Sequence, residues 1–576
     1  MAEKFWTQIP YDKTIAEALY KSLNVSFLLC VILAQRNVTS RLEAEKFLWP
    51  KLTYLDNPFK IKNIDAAVNI LRKVIDNKLH VAIIGDYDVD GITSITLLTN
   101  VLKNFGIVPD FFVPNRAYEG YGLSNEIVER ILSGKKYDTV ITLDCGTNSA
   151  EEVKILQKYG IEVLIVDHHQ AKTLPFAKCC MVNPHIDDDK EHDKYKILCT
   201  VGLVFKLCHA LLKVLRKAND QRVLNYSLKH DLDLVTLGTI ADMAQLIHEN
   251  RIFCKFGLKI LNGKYRRPGI EALCKSADIP IDANIGQHDV SFKLCPRLNA
   301  CGRITDAVLP ITMMLSDNFD EAITYAYELE ETNKERQLIE KEITEQAEKL
   351  LRNRYINDDG IVLYNPHWHS GVVGIVSGKC ARDYAKPCIV LGHERDLAKG
   401  SGRSMHGVNL IDILNDCSEY LETWGGHPYA VGVSILPENI DAFRKRFNEI
   451  VKKHSTGKSK HEKIEYVHEL TLEEIDNNFM KEMEALQPFG QKNPEPIFLL
   501  KNIKINNLPA TFGVQKNHIK FWLTDRHSKR ILTIGWGSAG NIPPIYVPLD
   551  LLVTVNRETW NKINSLRLNM VEWRRN

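Results

Sequence analysis

The sequence predicts an α/β protein built on a parallel sheet, followed by a long connector helix, a second α/β region and a C-terminal OB-type β-barrel. Three observations carry this prediction. From residue 80, short apolar runs alternate with helical stretches: VAIIGD, ITSITLLTNVLKNFG, PDFFVP, NEIVERILSG, DTVITLD, EEVKILQKYG and EVLIVD. Continuous apolar strands alternating with helices mark a parallel sheet covered on both faces. A polar stretch, FDEAITYAYELEETNKERQLIEKEITEQAEKLLRNRY, then separates this region from a second α/β pattern over 361–450. Last, HIKFWL, RILTIGW and LDLLVTV lie between turn residues toward the C-terminus, the spacing of a small barrel.

Taken in order, residues 1–75 read as a helical lead-in, with RNVTSRLEAEKFL offering Thr39 or Ser40 as a cap ahead of acidic residues. The apolar run over 25–34 is far shorter than the roughly 18–20 residues that cross a bilayer, and it follows Glu3, Asp12 and Glu17. It reads as a buried helix, and a cytoplasmic protein is expected. Three strands of the first α/β region each end in an acid: VAII in Asp86, TVITL in Asp144 and EVLIV in Asp167. Open parallel sheets gather their ligands beyond the carboxyl ends of their strands. DLVTLGTIAD delivers Asp242 at its end. The connector's composition fits solvated faces and charge pairs at helical spacing. Glycine-rich turns, KGSGRS and WGGHPYAVG, mark the second α/β region, and KKHSTGKSKHEK reads as a linker.

A chain of 576 residues divides into three to five units at roughly 100–200 residues each. Its 44% hydrophobic and 25% charged residues exclude fibrous, disordered and membrane classes. Thirteen cysteines without a CxxC pair argue against a zinc ribbon and read as reduced, mostly buried thiols. The net charge of +2 conceals an asymmetry: residues 497–576 hold twelve Lys and Arg against four Asp and Glu. That segment is the candidate polyanion binder, in which Phe521, Trp522, Trp536 and Trp560 are candidates for stacking bases or for core packing.

GDYDVDG is the sharpest chemical signal. Asp86, Asp88 and Asp90 alternate directly after a buried strand, a concentration of negative charge that cations would neutralise. A calcium EF-hand loop also begins DxDxDG, but it needs a helix in front and a glutamate at its twelfth position. Here the strand VAII precedes the motif and Leu97 occupies that position. An aspartate-rich turn without a metal is the remaining alternative. DHH, at Asp167, His168 and His169, adds a carboxylate and two imidazoles to the same crevice. Oxygen-rich ligation with one or two imidazoles favours Mn²⁺ or Mg²⁺ over zinc, and two such ions suit phosphoryl chemistry.

GDYDVDG, TLDCG, VDHH and GTIADM, in that order, resemble the four motifs of the DHH phosphoesterases. With NRAYEGYGL, PRLNACGR, WHSGVVGIVSG, KGSGRS, GGHPYAVG and PFGQKNPEP, the pattern resembles the bacterial RecJ family of single-strand-specific exonucleases over nearly the whole chain. The resemblance implies hydrolysis of single-stranded DNA from its 5′ end to mononucleotides, in recombination and repair. It implies a DHH catalytic domain over 76–315, a connector helix over 316–356, a DHH-associated domain over 357–452 and an OB-type nucleic-acid-binding domain over 464–576. Asp86, Asp88, Asp90, Asp144, His168 and Asp242 are implied to hold two Mn²⁺ or Mg²⁺ ions, with Asp144 as the bridge. His169 is then expected at the scissile phosphate or leaving group, and Asp167 behind an imidazole. Arg116, Arg297, Ser401 and Arg403 are implied to form a pocket for the 5′ end, with Arg303 and His427 as further substrate contacts. Single-strand-binding protein and a helicase are the expected partners, and the chain is expected to be monomeric.

Two other readings stand beside this one: a catalytically silent DNA-binding scaffold of the replication machinery, and a DHH phosphodiesterase of short oligonucleotides. The complete ligand set disfavours the first, and the lead-in and basic tail disfavour the second. Tyr429 and Val431 are larger than the resemblance leads one to expect, and ADMAQL lacks a proline after Asp242. These departures bear on local packing and leave every proposed ligand in place.

Overall fold

The computed structural model describes residues 5–115, 119–120, 122–171, 178–264, 266–405, 407–455, 463–560 and 563–575. The chain forms two compact units. One comprises residues 1–56, 243–255 and 460–576, and the other residues 57–242 and 256–459.

The first unit begins with β1 (Phe5–Gln8), a strand within the expected helical lead-in. It continues through α1 (Lys13–Ser22), α2 (Phe27–Gln35) and α3 (Arg41–Leu48). The apolar run becomes the buried face of α2, from Leu29 to Ala34. Ser40 caps α3, and Glu43 completes a reciprocal capping box.

The second unit opens with α4 (Ile64–Asn77) and a five-stranded sheet of β2 (Val81–Gly85), β3 (Asp110–Phe112), β4 (Thr139–Leu143), β5 (Glu162–Val166) and β6 (Cys180–Val182). The strand order is β3-β2-β4-β5-β6, and every pairing is parallel. Alternation along the strands sends Ala82, Ile84, Val140, Val163 and Ile165 into one core with α6 (Asn125–Leu132) and α7 (Ala150–Lys158). The remaining strand residues are buried by α4, α5 (Val89–Asn104) and α8 (Thr200–Lys217), so β2 and β4 are buried at every position. Next come α9 (Leu232–Ala241), α10 (His248–Leu261) and α11 (Pro268–Ser276). After α12 (Gln287–Asp289) a π-helical turn, Val290–Leu294, leads into α13 (Cys295–Ile304) and α14 (Val308–Leu315).

The connector is α15 (Phe319–Leu350), ending in a second π-helical turn, Leu351–Tyr355. It is less solvated than its composition suggests. Ala322, Ala326, Leu329, Asn333 and Arg336, spaced three or four residues apart, and then Ile343 and Ala347 form a buried stripe. This stripe packs along α11, α13 and α14 and along α16 (Val373–Tyr384).

The second sheet has the order β10-β11-β9-β8-β7, built from β7 (Ile361–Tyr364), β8 (Cys388–Glu394), β9 (Leu397–Arg403), β10 (Thr423–His427) and β11 (Ala430–Ile435). Its apolar face packs on α17 (Leu410–Asn415) and α18 (Ile440–Ser455).

The first unit resumes with β12 (Lys463–Tyr466), paired in parallel with β1. Then β13 (His468–Leu470), α19 (Asn477–Leu486), β14 (Phe498–Lys504), β15 (Ala510–Phe512), β16 (His518–Thr524), β17 (Arg530–Gly535), β18 (Pro548–Trp560) and β19 (Ile563–Arg575) follow. Seven of these strands form one sheet of order β13-β14-β18-β19-β17-β16-β15. Leu19, Leu29, Leu33 and Leu48 of the lead-in share a single core with Phe498, Phe521, Leu551 and Leu568 of this sheet. All thirteen cysteines are free thiols, and only Cys179 and Cys180 are less than fully buried.

Candidate two-metal site

Strand register assembles the site. Gly85 of β2 pairs with Leu143 of β4, which pairs with Val166 of β5. The next residue of each strand is therefore an aspartate, and Asp86, Asp144 and Asp167 form one row at the carboxyl edge of three adjacent strands. All three are at most 3% exposed. Asp144 adopts a left-handed backbone with φ 64°, a conformation that aspartate tolerates and that recurs at functional sites.

GDYDVDG folds as strand, turn and helix. Asp88 caps α5 by accepting from the amides of Asp90 and Gly91 at 2.9 and 3.2 Å. A side chain at Gly91 would meet the backbone of Asp86 at 2.3 Å, so only glycine lets the first turn of α5 close over the strand end. Asp90, 1% exposed, accepts from the amides of Thr200 and Val201 at the N-terminus of α8 at 2.7 and 2.8 Å. Thr200 Oγ1 donates to Asp144 Oδ1 at 2.9 Å.

His168 joins the carboxylates. Its Nε2 lies 3.3 Å from Asp144 Oδ1 and 3.8 Å from Asp90 Oδ2, and its Nδ1 lies 3.9 Å from Asp242 Oδ2. Three donor groups result: Asp86 with Asp88 and Asp144, Asp90 with His168 and Asp242, and Asp144 with His168 and His169. Within each group the ligand atoms lie within 4.8 Å of one another. Hard oxygen donors with one or two imidazoles suit Mn²⁺ or Mg²⁺, so the residues fit two such ions.

The electrostatics agree with that donor set. Burial, then the charge of Asp88, pushes Asp90 up to about 7. Burial, then Asp90 and Asp88, pushes Asp242 up to about 8, and the same causes hold Asp144 well above the carboxylate range. Burial and the neighbouring His169 push His168 down to about 3, which leaves it a neutral imidazole. For His169 burial opposes the charge, but the hydrogen bond to Asp167 and the charges of Asp167, Asp86 and Asp88 together outweigh it and raise the imidazole to about 9. Its Nδ1 donates to Asp167 Oδ1 at 2.8 Å, and Asp167 is held below its ordinary value. The two adjacent imidazoles are thus shifted in opposite directions, His169 up and His168 down.

A prediction follows for the metal-free protein. The folded carboxyls at about 7 and 8 bind protons that the unfolded chain, near 4, has already lost. Their contribution to stability is full below about pH 4 and falls as pH rises through 7 and 8. Divalent cations replace those protons, so the rise in melting temperature on adding Mg²⁺ should be several degrees larger at pH 8.5 than at pH 5.5. An equal rise at both pH values would contradict it.

The second sheet contributes a further set. Ser401 and Arg403 lie on β9 against the N-terminal turn of α16, where a side chain at Gly374 would meet Ser401 Oγ at 3.0 Å and Arg403 Nη2 at 3.9 Å. Ser401, Arg403 and the first turn of α16 are thus neighbours. Arg303 bridges to the loop before α16, donating to Gly371 O at 3.1 Å. His427, exposed at the end of β10, acts electrostatically on His168. Arg297 is brought to α15, with its Nε 2.6 Å from Glu330 and its Nη1 2.7 Å from Lys293 O. Arg116 lies outside the described residues, as does the side chain of Trp560. Phe521 is 1% exposed and belongs to the core, whereas Trp522 and Trp536 are 45% and 52% exposed. Tyr429 points to solvent, and Val431 packs on Gly402, whose missing side chain makes room for it.

Gly374 and the first turn of α16 lie within WHSGVVGIVSG, a segment whose residue types do not by themselves mark a contact with Ser401 and Arg403. Sequence reasoning passed over Asn183 and His185 of VNPH. The charge of His185 acts on His168, and its own imidazole is pushed down by burial and by Lys196.

Comparison with known proteins places this geometry. Residues 80–239 match the DHH family N-terminal domain, 357–453 the DHHA1 domain and 468–572 the RecJ OB domain. The chain is 33% identical over 562 residues to the single-stranded-DNA-specific exonuclease RecJ of Bacillus subtilis (strain 168), covering 96% of this chain and 68% of that protein. It is 32% identical over 483 residues to the protein of the same name from Escherichia coli (strain K12), covering 81% and 82%. Among solved structures, RecJ in complex with Mn²⁺ from Thermus thermophilus superposes with a TM-score of 0.82 at 23% identity, over 100% of this chain and 80% of that one. An exonuclease RecJ bound to manganese superposes with a TM-score of 0.58 at 28% identity, over 70% and 97%. With its parallel-sheet core, its acidic and imidazole donor groups and these relatives in common, the chain belongs to the RecJ family.

Proposed function

We propose that this protein is a metal-dependent exonuclease that degrades single-stranded DNA from its 5′ end to mononucleotides, in recombination and repair. The observation that carries the reading is the row of Asp86, Asp144 and Asp167 joined by Asp88, Asp90, His168 and Asp242 in overlapping donor groups. Two Mn²⁺ or Mg²⁺ ions held there supply charge neutralisation at the phosphate and lower the pKa of water. Asp144, which lies with Asp86 and Asp88 on one side and 3.3 Å from His168 on the other, would be the ligand shared by the two ions. His169, kept protonated by Asp167, donates to the scissile phosphate or to the leaving 3′ oxygen.

Ser401, Arg403 and the α16 amides hold the terminal 5′ phosphate, together with Arg116 and Arg297, and Arg303 and His427 contact the strand beside it. Residues 76–315 act as the catalytic domain, 316–356 as the connector, 357–452 as the associated domain and 464–576 as the strand-binding domain behind the 1–75 lead-in. The protein works as a cytoplasmic monomer alongside single-strand-binding protein and a helicase. Among the described residues, no helix is long and apolar enough to cross a membrane.

The test uses single-stranded and duplex DNA labelled at either end, with Mn²⁺ or with chelator. Single strands labelled at the 5′ end should release labelled mononucleotide at once, duplexes should persist, and chelator should stop the reaction. Equal loss of duplex, or activity in chelator, would refute the proposal. In the same assay, Trp522→Ala with Trp536→Ala should weaken binding of long strands by about 1–3 kcal/mol per lost stack while leaving turnover of a very short substrate intact. Substitution is the right perturbation, because removing 497–576 would strip α1 to α3 of their core.

A further inference from the structure

One buried amide ties the turn after β4 to the loop after β5. Asn183, 1% exposed, directly follows β6. Its Nδ2 donates to Thr147 Oγ1 at 2.8 Å and to His169 O at 2.8 Å, and its Oδ1 accepts from the amide of His185 at 2.8 Å. The amide of Thr147 donates in turn to Asp167 Oδ2 at 3.1 Å. The other oxygen of Asp167 receives His169 Nδ1 at 2.8 Å and the amides of His168 and His169 at 2.7 and 3.1 Å. Asn183 thus grips His169 at two points, directly at its carbonyl and through Thr147 at the carboxylate that orients its ring. Both its side-chain nitrogen and its oxygen are already engaged by Thr147, His169 and His185.

We propose that Asn183 is a positioning residue for His169, setting the rate of phosphodiester cleavage without contributing to metal binding. The inference rests on the exonuclease reading of the site. An amide is the side chain this position requires, because it presents two donors to Thr147 and His169 O and one acceptor to His185. Alanine leaves these buried partners unmatched, and aspartate turns a second acceptor toward the His169 carbonyl. Thr147→Val removes the hydroxyl that Asn183 grips while preserving shape and the backbone amide bonded to Asp167.

The experiment measures kcat and KM on 5′-phosphorylated single-stranded DNA in saturating Mn²⁺, Mn²⁺ affinity by calorimetry, and thermal melting. The proteins are the full-length wild type, Asn183→Ala, Asn183→Asp, Thr147→Val, His169→Ala, and the Asn183→Ala/His169→Ala and Thr147→Val/His169→Ala doubles. Asn183→Ala and Thr147→Val should lower kcat by about 10–100-fold, with Mn²⁺ affinity and KM changed by no more than about threefold. Each double should be no slower than His169→Ala alone, since orienting an absent ring has no effect. Parallel loss of Mn²⁺ affinity, multiplicative losses in the doubles, or wild-type kcat in the singles would overturn the inference. If Asn183→Ala does not fold, the Thr147→Val cycle decides alone. An inactive wild type would instead defeat the exonuclease reading, and this inference with it.

Discussion

Asp144→Asn should abolish hydrolysis of single-stranded DNA, lowering kcat by on the order of 10³-fold or more in saturating Mn²⁺, while leaving the metal-free protein more stable near pH 8. The two effects have opposite signs for one reason. Asp144 is 1% exposed, and burial, then the charges of Asp90, Asp88, Asp86 and Asp167, hold its carboxyl well above the ordinary range. Without metal, a charge at this position opposes folding as pH rises. With metal, the same charge would serve as a ligand, since Asp144 lies in two of the donor groups. Asparagine removes the charge, keeps an acceptor for Thr200 Oγ1 at 2.9 Å, and tolerates the left-handed backbone at φ 64°. Steady-state turnover against Mn²⁺ concentration, with melting curves in chelator at pH 8, measures both effects. A variant within tenfold of wild type, or one less stable in chelator, would contradict the assignment of Asp144 as the central ligand.

Arg251→Leu should destabilise the unit that contains the seven-stranded sheet by about 3–5 kcal/mol. Arg251 is 2% exposed, and its guanidinium donates to Phe47 O at 2.7 Å, Leu486 O and Ala485 O at 2.9 Å, and Gln487 O at 3.0 Å. It also stacks on the Phe47 ring at 3.9 Å. The acceptors include the last carbonyls of α19, where a cation completes groups that the helix leaves unbonded. Burial and the neighbouring Arg36 push the guanidinium down to about 9, a cost that the carbonyls offset. Leucine fills the space but leaves those oxygens dry. Six of the eight tryptophans lie in this unit, so fluorescence-detected denaturation reports it directly. A midpoint equal to that of the wild type would show that the carbonyls find other partners.

Much of the catalytic centre was legible in the sequence, because parallel strands impose a simple rule. Adjacent strands in register place the residues that follow them side by side, so VAIIGD, TVITLD and EVLIVD place Asp86, Asp144 and Asp167 in one row. Alternation in HIKFWL was equally informative. It puts Ile519, Phe521 and Leu523 inside and His518, Lys520 and Trp522 outside, so Phe521 and Trp522 could have been told apart by parity. The connector was visible as a helix, but its buried stripe was hidden by its charge, since Asn333 and Arg336 fill positions that apolar residues usually take.

The sequence by itself determined the parallel core, the acidic row at its edge and the donor chemistry that selects Mn²⁺ or Mg²⁺. Only the tertiary structure decided that residues 1–56 and 243–255 share a unit with the C-terminal sheet, that Arg297 pairs with Glu330, and that Asn183 grips His169. The physical reason is the kind of partner each contact uses. Strand ends and metal ligands are written in residue types at fixed local spacing. Arg251 and Asn183 instead bind backbone carbonyls from distant segments, and a backbone carbonyl is the same at every position in the chain.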